Sequence, residues 1–290
     1  MSGEAPKSQD AAERMAFLAE QIAHHSHLYY NLAQPEISDA EFDRLWDELK
    51  ALDPQHPQLS RVGADVPPGS VKVDHLFPMR SLDKATTREE LNHFVNATTG
   101  GATRFLSQPK LDGSALSLEY RMGRLVRAAT RGSGERGEDV TRNALKVANV
   151  PHALPLPVDL HVRGEVVMPL KVFNEKYRDV SPNPRNLAAG ALRQKHADGK
   201  ADASDLVFQA YDAQVPFGEH RHPDSQPVPD MANDTDMLVW MEDTLGIFPA
   251  PWTLHQGSTP SETVASLDAS TAEWTENRGC LLYTSDAADE

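Results

Sequence analysis

Residues 105–129 read FLSQPKLDGSALSLEYRMGRLVRAA. The run from Phe105 to Tyr120 and the run from Arg124 to Ala129 flank Met122-Gly123, a pattern that predicts two antiparallel strands joined by a tight turn. Lys110-Leu111-Asp112-Gly113 lies inside the first run. Residues two apart on a strand point the same way, so this reading puts Lys110 and Asp112 on one face with Leu111 in the core behind them. Gly113 then marks a place where a ligand or another backbone comes close. A lysine so placed can act as a covalent nucleophile once desolvation or a cationic neighbour removes its proton. Taken alone, four residues with one wildcard fit a surface lysine just as well.

Upstream of this stretch the pattern is helical. From Ala12 to Tyr30 the chain has few breakers, and Met15, Leu18, Ala19, Ile22 and Ala23 recur at helical spacing. Asn31 to Ile37 reads as a loop. Ser38-Asp39-Ala40-Glu41 then has the spacing of a capping box, followed by an apolar face of Phe42, Leu45, Trp46 and Leu49 and a stop at Asp53-Pro54. Val66 to Met79, with its prolines, reads as a linker. Downstream, Leu160 to Met168 and Leu206 to Tyr211 are expected as strands and Asn183 to Gln194 as a helix opened by proline. Val215 to Asp236 is expected as a surface loop, and Met237 to Thr244 as a short helix. The expected class is α+β: a small helical module over residues 1–66, then a domain with a mostly antiparallel sheet over 67–278.

Composition narrows the function classes. No apolar run reaches the ~20 residues of a membrane helix, and Met1 to Asp10 lacks the apolar segment of a secretory signal, so a cytoplasmic protein with no membrane partner is expected. Cys280 is the sole cysteine, which excludes disulfide stapling and a four-cysteine zinc site within these 290 residues. A net charge of −15 supplies no overall basic footprint, so any affinity for DNA must come from a local patch or from another domain.

Three further blocks change the weight of Lys110. Residues 130–141 read TRGSGERGEDVT, which alone also fits a flexible hairpin loop. Arg163-Gly164-Glu165 places a charged pair inside an apolar strand, where it needs partners: a site or a salt bridge. Asn183-Pro184-Arg185-Asn186 opens a helix that later carries Arg193, which suits a phosphate or simply a solvated face. Together, and in this order, K-L-D-G, T-R-G-x-G-x-x-G-E-D-V-T, R-G-E and N-P-R-N-x-A-A-G-x-L-R-Q resemble the adenylation domain of NAD-dependent DNA ligases, a nucleotidyltransferase fold of ATP-grasp-like type. Tyr29-Tyr30 with Pro35-Glu36-Ile37-Ser38-Asp39-Ala40-Glu41-Phe42-Asp43 resembles the small module that holds the nicotinamide mononucleotide (NMN) half of NAD in that family. The resemblance spans roughly residues 12 to 278.

The resemblance implies a ligase acting in DNA replication and repair. Its lysine attacks the α-phosphate of NAD, releases NMN, and passes AMP to the 5′-phosphate of a nick in double-stranded DNA. It implies Lys110 as nucleophile, with Asp112 steering the amine or a Mg2+ (or Mn2+) ion. Arg131 would hold phosphate or ribose, Glu165 the ribose hydroxyls, and Tyr211 and Gln108 the adenine. Ser81 and Leu82 would line the pocket, and Arg185 and Arg193 would meet DNA or phosphate. Tyr29, Tyr30, Asp39, Phe42 and Asp43 would take the NMN half, and here the residues have a rationale of their own. The nicotinamide ring is a cation that aromatic faces attract, and Asp39 and Asp43, four apart, share a helix face. No residue is assigned as a metal ligand, and a monomer is expected.

Three positions depart from the family: Gln108 stands where glutamate is usual, Phe42 where tyrosine is usual, and Tyr30 where some members have histidine. After Arg278 the family continues with a strand carrying D-G-x-V-x-K, whereas residues 279–290 do not match and read as a non-native tail. The family's later lysines, its OB-fold, its zinc module and its helix-hairpin-helix repeats are not among these residues. The expectation is weak NAD binding, strongly impaired self-adenylation and no ligation by these 290 residues. Two other readings compete: a non-catalytic nucleotide- or DNA-binding remnant, and an ATP-using nucleotidyltransferase. The aromatic–aspartate module disfavours the second, because ATP has no nicotinamide to hold.

Overall fold

A computed structural model describes residues 5–29, 36–60, 70–80, 85–98, 104–195, 199–229 and 233–276. The chain forms two compact units. One holds residues up to 81 together with 131–139; the other holds 82–130 together with 140–286.

The first unit starts with α1 (Ala5–His27), which begins seven residues before the expected Ala12. Residues 5–11 carry a single breaker, Pro6, and a proline in the first turn leaves no intrahelical donor missing. Ser38 caps α2 (Asp39–Leu52) as its spacing predicts. Its side chain accepts from the Glu41 backbone N–H, and the Glu41 carboxylate accepts from the backbone N–H of Ser38. The Ser38 N–H and the Ser38 hydroxyl both donate to the Glu41 carboxylate, and these charge-assisted bonds hold the Glu41 carboxyl below its ordinary pKa. Asp53 closes the helix, its N–H donating to the Leu49 carbonyl. Leu18, Ile22 and Leu49 are fully buried between these helices and the short α3 (Pro57–Ser60), with Met15, Ala19, Phe42, Leu45, Trp46 and Leu59 packed around them. The expected Ala23 of the stripe is exposed instead. The stretch expected as a linker contains β1 (Lys72–Asp74), which pairs antiparallel with β5 (Arg136–Glu138). A three-residue strand has too short an alternation to read, and its partner lies inside the glycine-rich block far along the chain.

The second unit is built on an antiparallel sheet of order β4-β3-β6-β7, from β3 (Ser114–Arg121), β4 (Arg124–Thr130), β6 (Leu160–Val167) and β7 (Val207–Gln214). Met122 and Gly123 both take positive φ (49° and 74°), the twist-matched geometry of a two-residue hairpin. The fully buried Asp159 fastens this turn. It accepts from the Met122 N–H at 2.7 Å and from the His222 N–H at 2.6 Å. One face of the sheet carries Leu116, Leu118, Tyr120, Val162, Val166 and Phe208. Side chains of α5 (Thr141–Ala144), α7 (Pro184–Arg193) and α8 (Asp234–Asp243) complete this core. Between β6 and α7, α6 (Leu170–Val172) runs into a π-helical turn, Phe173–Tyr177, which sinks Phe173 into the same core. The loop expected over 215–236 carries a short 3-10 turn at Gly218–His220 and gives way to α8 at Asp234.

The deciding stretch is not one strand. Residues 104–107 form β2 (Arg104–Ser107), which pairs with β8 (Thr253–Gln256) in a separate two-stranded sheet flanked by α4 (Arg88–Thr98) and α9 (Pro260–Glu276). Residues 108–113 are irregular, and the main sheet resumes only at Ser114. Pro109 has no N–H to give a ladder, and Gly113 lies where a Cβ would come within 2.2 Å of the Val166 carbonyl oxygen.

Candidate active site

Because residues 108–113 leave the strand, Lys110 and Asp112 do not share a strand face as alternation suggested. Lys110 is exposed, Leu111 is only partly buried, and Asp112 is buried with 6% of its surface accessible. A carboxylate so enclosed needs a cation, and Arg185 supplies one: its guanidinium lies 3.2 Å from Asp112 Oδ1. Arg185 is set in place by the start of α7, where the Asn183 side chain accepts from the backbone N–H groups of Arg185 and Asn186. The K-L-D-G segment is also pinned from below. At Gly113 a Cβ would lie 3.0 Å from the Glu165 side chain and 2.8 Å from that of Val167, so only glycine lets this backbone lie against β6.

Glu165 belongs to the sheet face opposite the core. It sits in register with Ala115 on β3 and Gln209 on β7. Arg163, two residues earlier on that face, pairs with Asp212, donating from Nε at 2.8 Å. Of the two roles open to the Arg163–Glu165 pair, Arg163 takes the structural one. Between them, Gly164 points into the core, where a Cβ would meet the Phe208 ring at 2.5 Å. Register shifts between Arg163 and Gly164, so Tyr211 has no opposite number on β6 and stands at a bulge beside Asp212. Gln108 is partly buried, and its Nε2 is enclosed with no hydrogen-bonding partner among the described residues. Arg193 ends α7, eight residues from Arg185, or roughly 12 Å along the helix axis. Lys110, Asp112, Glu165 and Arg185 are thus gathered through the 110–113 loop, and Tyr211 lies on the strand next to Glu165.

In the first unit, Tyr29 follows α1 in a π-helical turn, and Asp43 is exposed on α2. Phe42 rests against Trp46, ring centroids 6.2 Å apart, as part of the helical core. Arg131 donates from Nε to the Met79 carbonyl at 3.2 Å, in a turn where Gly132 and Gly134 take positive φ. Asp39 is the first residue of α2, and its side chain lies outside what the structure describes. Tyr30, Ser81 and Leu82 also lie outside the described residues, as does the tail after Arg278.

One feature near the lysine left no mark in the sequence. Ser107 Oγ lies 2.5 Å from His255 Nε2, and the other ring nitrogen lies 2.8 Å from Ser266 Oγ. A neutral imidazole has one donor and one acceptor, and two hydroxyls satisfy both in either tautomer. His255 is almost wholly buried, and that burial pushes its pKa below the ordinary 6.5. The network pins β2, the strand that leads into Gln108 and Lys110. Its partners lie about 150 residues apart along the chain, so no local pattern announces it.

Two family models match this chain. The NAD-dependent DNA ligase adenylation domain matches residues 69–241, and the DNA ligase-like, N-terminal NAD+-binding domain matches residues 8–70. A DNA ligase of Azotobacter vinelandii (strain DJ / ATCC BAA-1303) is 42% identical over 210 residues, covering 64% of this chain and 27% of that protein. A DNA ligase of Desulfosudis oleivorans (strain DSM 6200 / JCM 39069 / Hxd3) is 42% identical over 227 residues, 70% of this chain and 33% of that protein. The chain thus spans between a quarter and a third of the length of these curated relatives. A solved structure, "Pmar-Lig_Pre.", aligns over 80% of this chain and 47% of its own at a TM-score of 0.35 and 12% identity, too loose a likeness to bear on the fold. With one family model covering more than half of its residues and a second covering the helical segment before them, the chain belongs to the NAD-dependent DNA ligase family.

Proposed function

We propose that this chain carries the residues of the adenylation step of an NAD-dependent DNA ligase, a step that these 290 residues perform weakly by themselves and fully within the whole ligase. Lys110 Nζ, once it has given up a proton to become the neutral amine, attacks the α-phosphorus of NAD and releases a second proton to solvent as the new bond forms. A phosphoramidate bond forms between lysine and AMP as the bond to the bridging pyrophosphate oxygen breaks, and NMN leaves with that oxygen. Within the whole ligase the AMP then moves to the 5′-phosphate of nicked DNA, which the 3′-hydroxyl attacks to seal the strand. The observation that carries this reading is the 110–113 loop. It presents the lysine to solvent while Asp112 is buried beside Arg185 and Gly113 is pressed against Glu165.

The other residues fall into roles by their chemistry. Glu165 accepts from the ribose hydroxyls, as a carboxylate does well. Gln108 offers adenine an amide whose enclosed Nε2 has no partner among the described residues, and Tyr211 offers it a ring. Arg131 holds phosphate or ribose by charge-assisted hydrogen bonds, and Ser81 and Leu82 line the pocket. Tyr29, Tyr30, Asp39, Phe42 and Asp43 receive the NMN half. Arg185 and Arg193 meet the DNA backbone or a phosphate, Arg185 while it also offsets the charge of Asp112. Asp112 would steer the Lys110 amine or a Mg2+ (or Mn2+) ion, a hard cation that carboxylate oxygens suit. When bound, the ion supplies charge neutralisation at the phosphates.

The test uses NAD labelled in its adenylate half, with ATP labelled in the same half as the alternative donor. Label that stays on the protein through denaturation with NAD but not with ATP is expected, from this chain or from a chimera that joins it to the remaining domains of the Azotobacter vinelandii ligase. Transfer from ATP, or no transfer from NAD in either protein, overturns the reading.

A further inference from the structure

The last turns of α1 present His24 and His25, and Glu36 comes from the segment just before the α2 cap. One donor atom from each of the three side chains lies within 4.8 Å of the other two, and His24 Nε2 and Glu36 Oε2 are 3.6 Å apart. Two unit charges or a single exposed ion pair would need only two of these groups. Three donors converging on one point is the arrangement that a metal ion requires. The rings of His24 and His25 stand edge to face with centroids 5.1 Å apart, so both imidazoles face one region although they are consecutive on the helix. His25 adds a second, independent mark: its Nδ1 is buried and has no hydrogen-bonding partner among the described residues. An enclosed polar atom left so asks for a water or an ion to satisfy it.

We infer that His24, His25 and Glu36 form a binding site for a transition-metal ion of the zinc type on the helical module. The donor set decides the class of ion. Two imidazoles and a carboxylate suit Zn2+, Ni2+ or Cu2+, and three protein ligands leave zinc an open fourth position. Mg2+ prefers oxygen donors and keeps its water, so this site is separate in kind from any magnesium used for adenylation. Tetrahedral zinc–nitrogen bonds of about 2.0–2.1 Å set ligand atoms roughly 3.3 Å apart, and the His24–Glu36 separation is already close to that. A bound ion would tie the end of α1 to the entry of α2, and so tie together the two segments that carry Tyr29 and Asp39. The inference rests on the geometry of this module and not on the ligase reading.

Co2+ serves as the spectroscopic probe and Zn2+ as the competitor, titrated into the full 290-residue chain with millimolar Mg2+ present throughout. One equivalent of Co2+ with visible d–d absorption, displaced by one equivalent of Zn2+, is expected. His24→Ala and Glu36→Gln should each weaken binding by at least the roughly 10–100-fold that loss of a mere outer partner costs a metal site. Both side chains are largely exposed, and unchanged far-UV circular dichroism in each variant shows that the helices persist. Binding that keeps its strength in both variants places the ion among the other histidines and overturns the site. So does the absence of stoichiometric binding, or displacement by Mg2+.

Discussion

Asp112 is a carboxylate that water barely reaches, and Arg185 is the cation beside it. Arg185→Ala removes this cation from beside a buried carboxylate, which should cost about 3–5 kcal/mol of unfolding free energy. Urea denaturation measures this. Adding Asp112→Asn to the same chain should recover part of the loss, because the buried charge is then gone; a double variant no more stable than Arg185→Ala contradicts the pairing. His255 gives the second prediction at this scale. Burial lowers its pKa in the folded state below 6.5, so between the folded and the unfolded value the unfolded chain binds more protons. Stability from this group is therefore present above pH 6.5 and falls as pH drops below it. The thermal midpoint should decline from pH 6.5 towards 5, and His255→Gln should decline less steeply over the same window. Equal slopes in the two proteins would remove His255 from the account.

At the scale of the element, two substitutions test what holds the frame. Ser38→Ala removes one arm of the capping box and should destabilise the helical module by about 1 kcal/mol. Gly164→Ala places a methyl 2.3 Å from the Gln209 carbonyl oxygen and 2.5 Å from the Phe208 ring, so β6 or β7 must shift, at about 1–3 kcal/mol. Chemical denaturation reads both, and a neutral Gly164→Ala would mean that the strands are not packed as described. The capping box, the Met122-Gly123 turn and the Asn183-Pro184 helix start were all legible, because each is a local rule satisfied within a few residues. The break at 108–113 was not. Alternation carried the eye from Phe105 to Tyr120, yet β2 finds its partner in β8, far beyond any window a strand pattern covers. The same holds for β1 and for the Ser107–His255–Ser266 network. At the site, residue types and their order pointed to Lys110, Asp112, Glu165 and Arg185. That Asp112 is buried and paired with Arg185, while Lys110 is free to solvent, needed the fold.

For the whole molecule, family membership is settled by two adjoining family matches, while the chain reaches only part of the length of its relatives. The central claim is chemical: one lysine takes AMP from NAD. The most direct measurement is intact-protein mass spectrometry, after incubation with magnesium and NAD, of the chain joined to the remaining domains of the Azotobacter vinelandii ligase, followed by peptide mapping of the modified protein. The account predicts a single addition of AMP mass, located on the peptide that contains Lys110 and absent from both Lys110→Ala and Lys110→Arg, since a guanidinium stays protonated and is no nucleophile. An AMP addition that maps to any other residue, or that survives in Lys110→Ala, would contradict it.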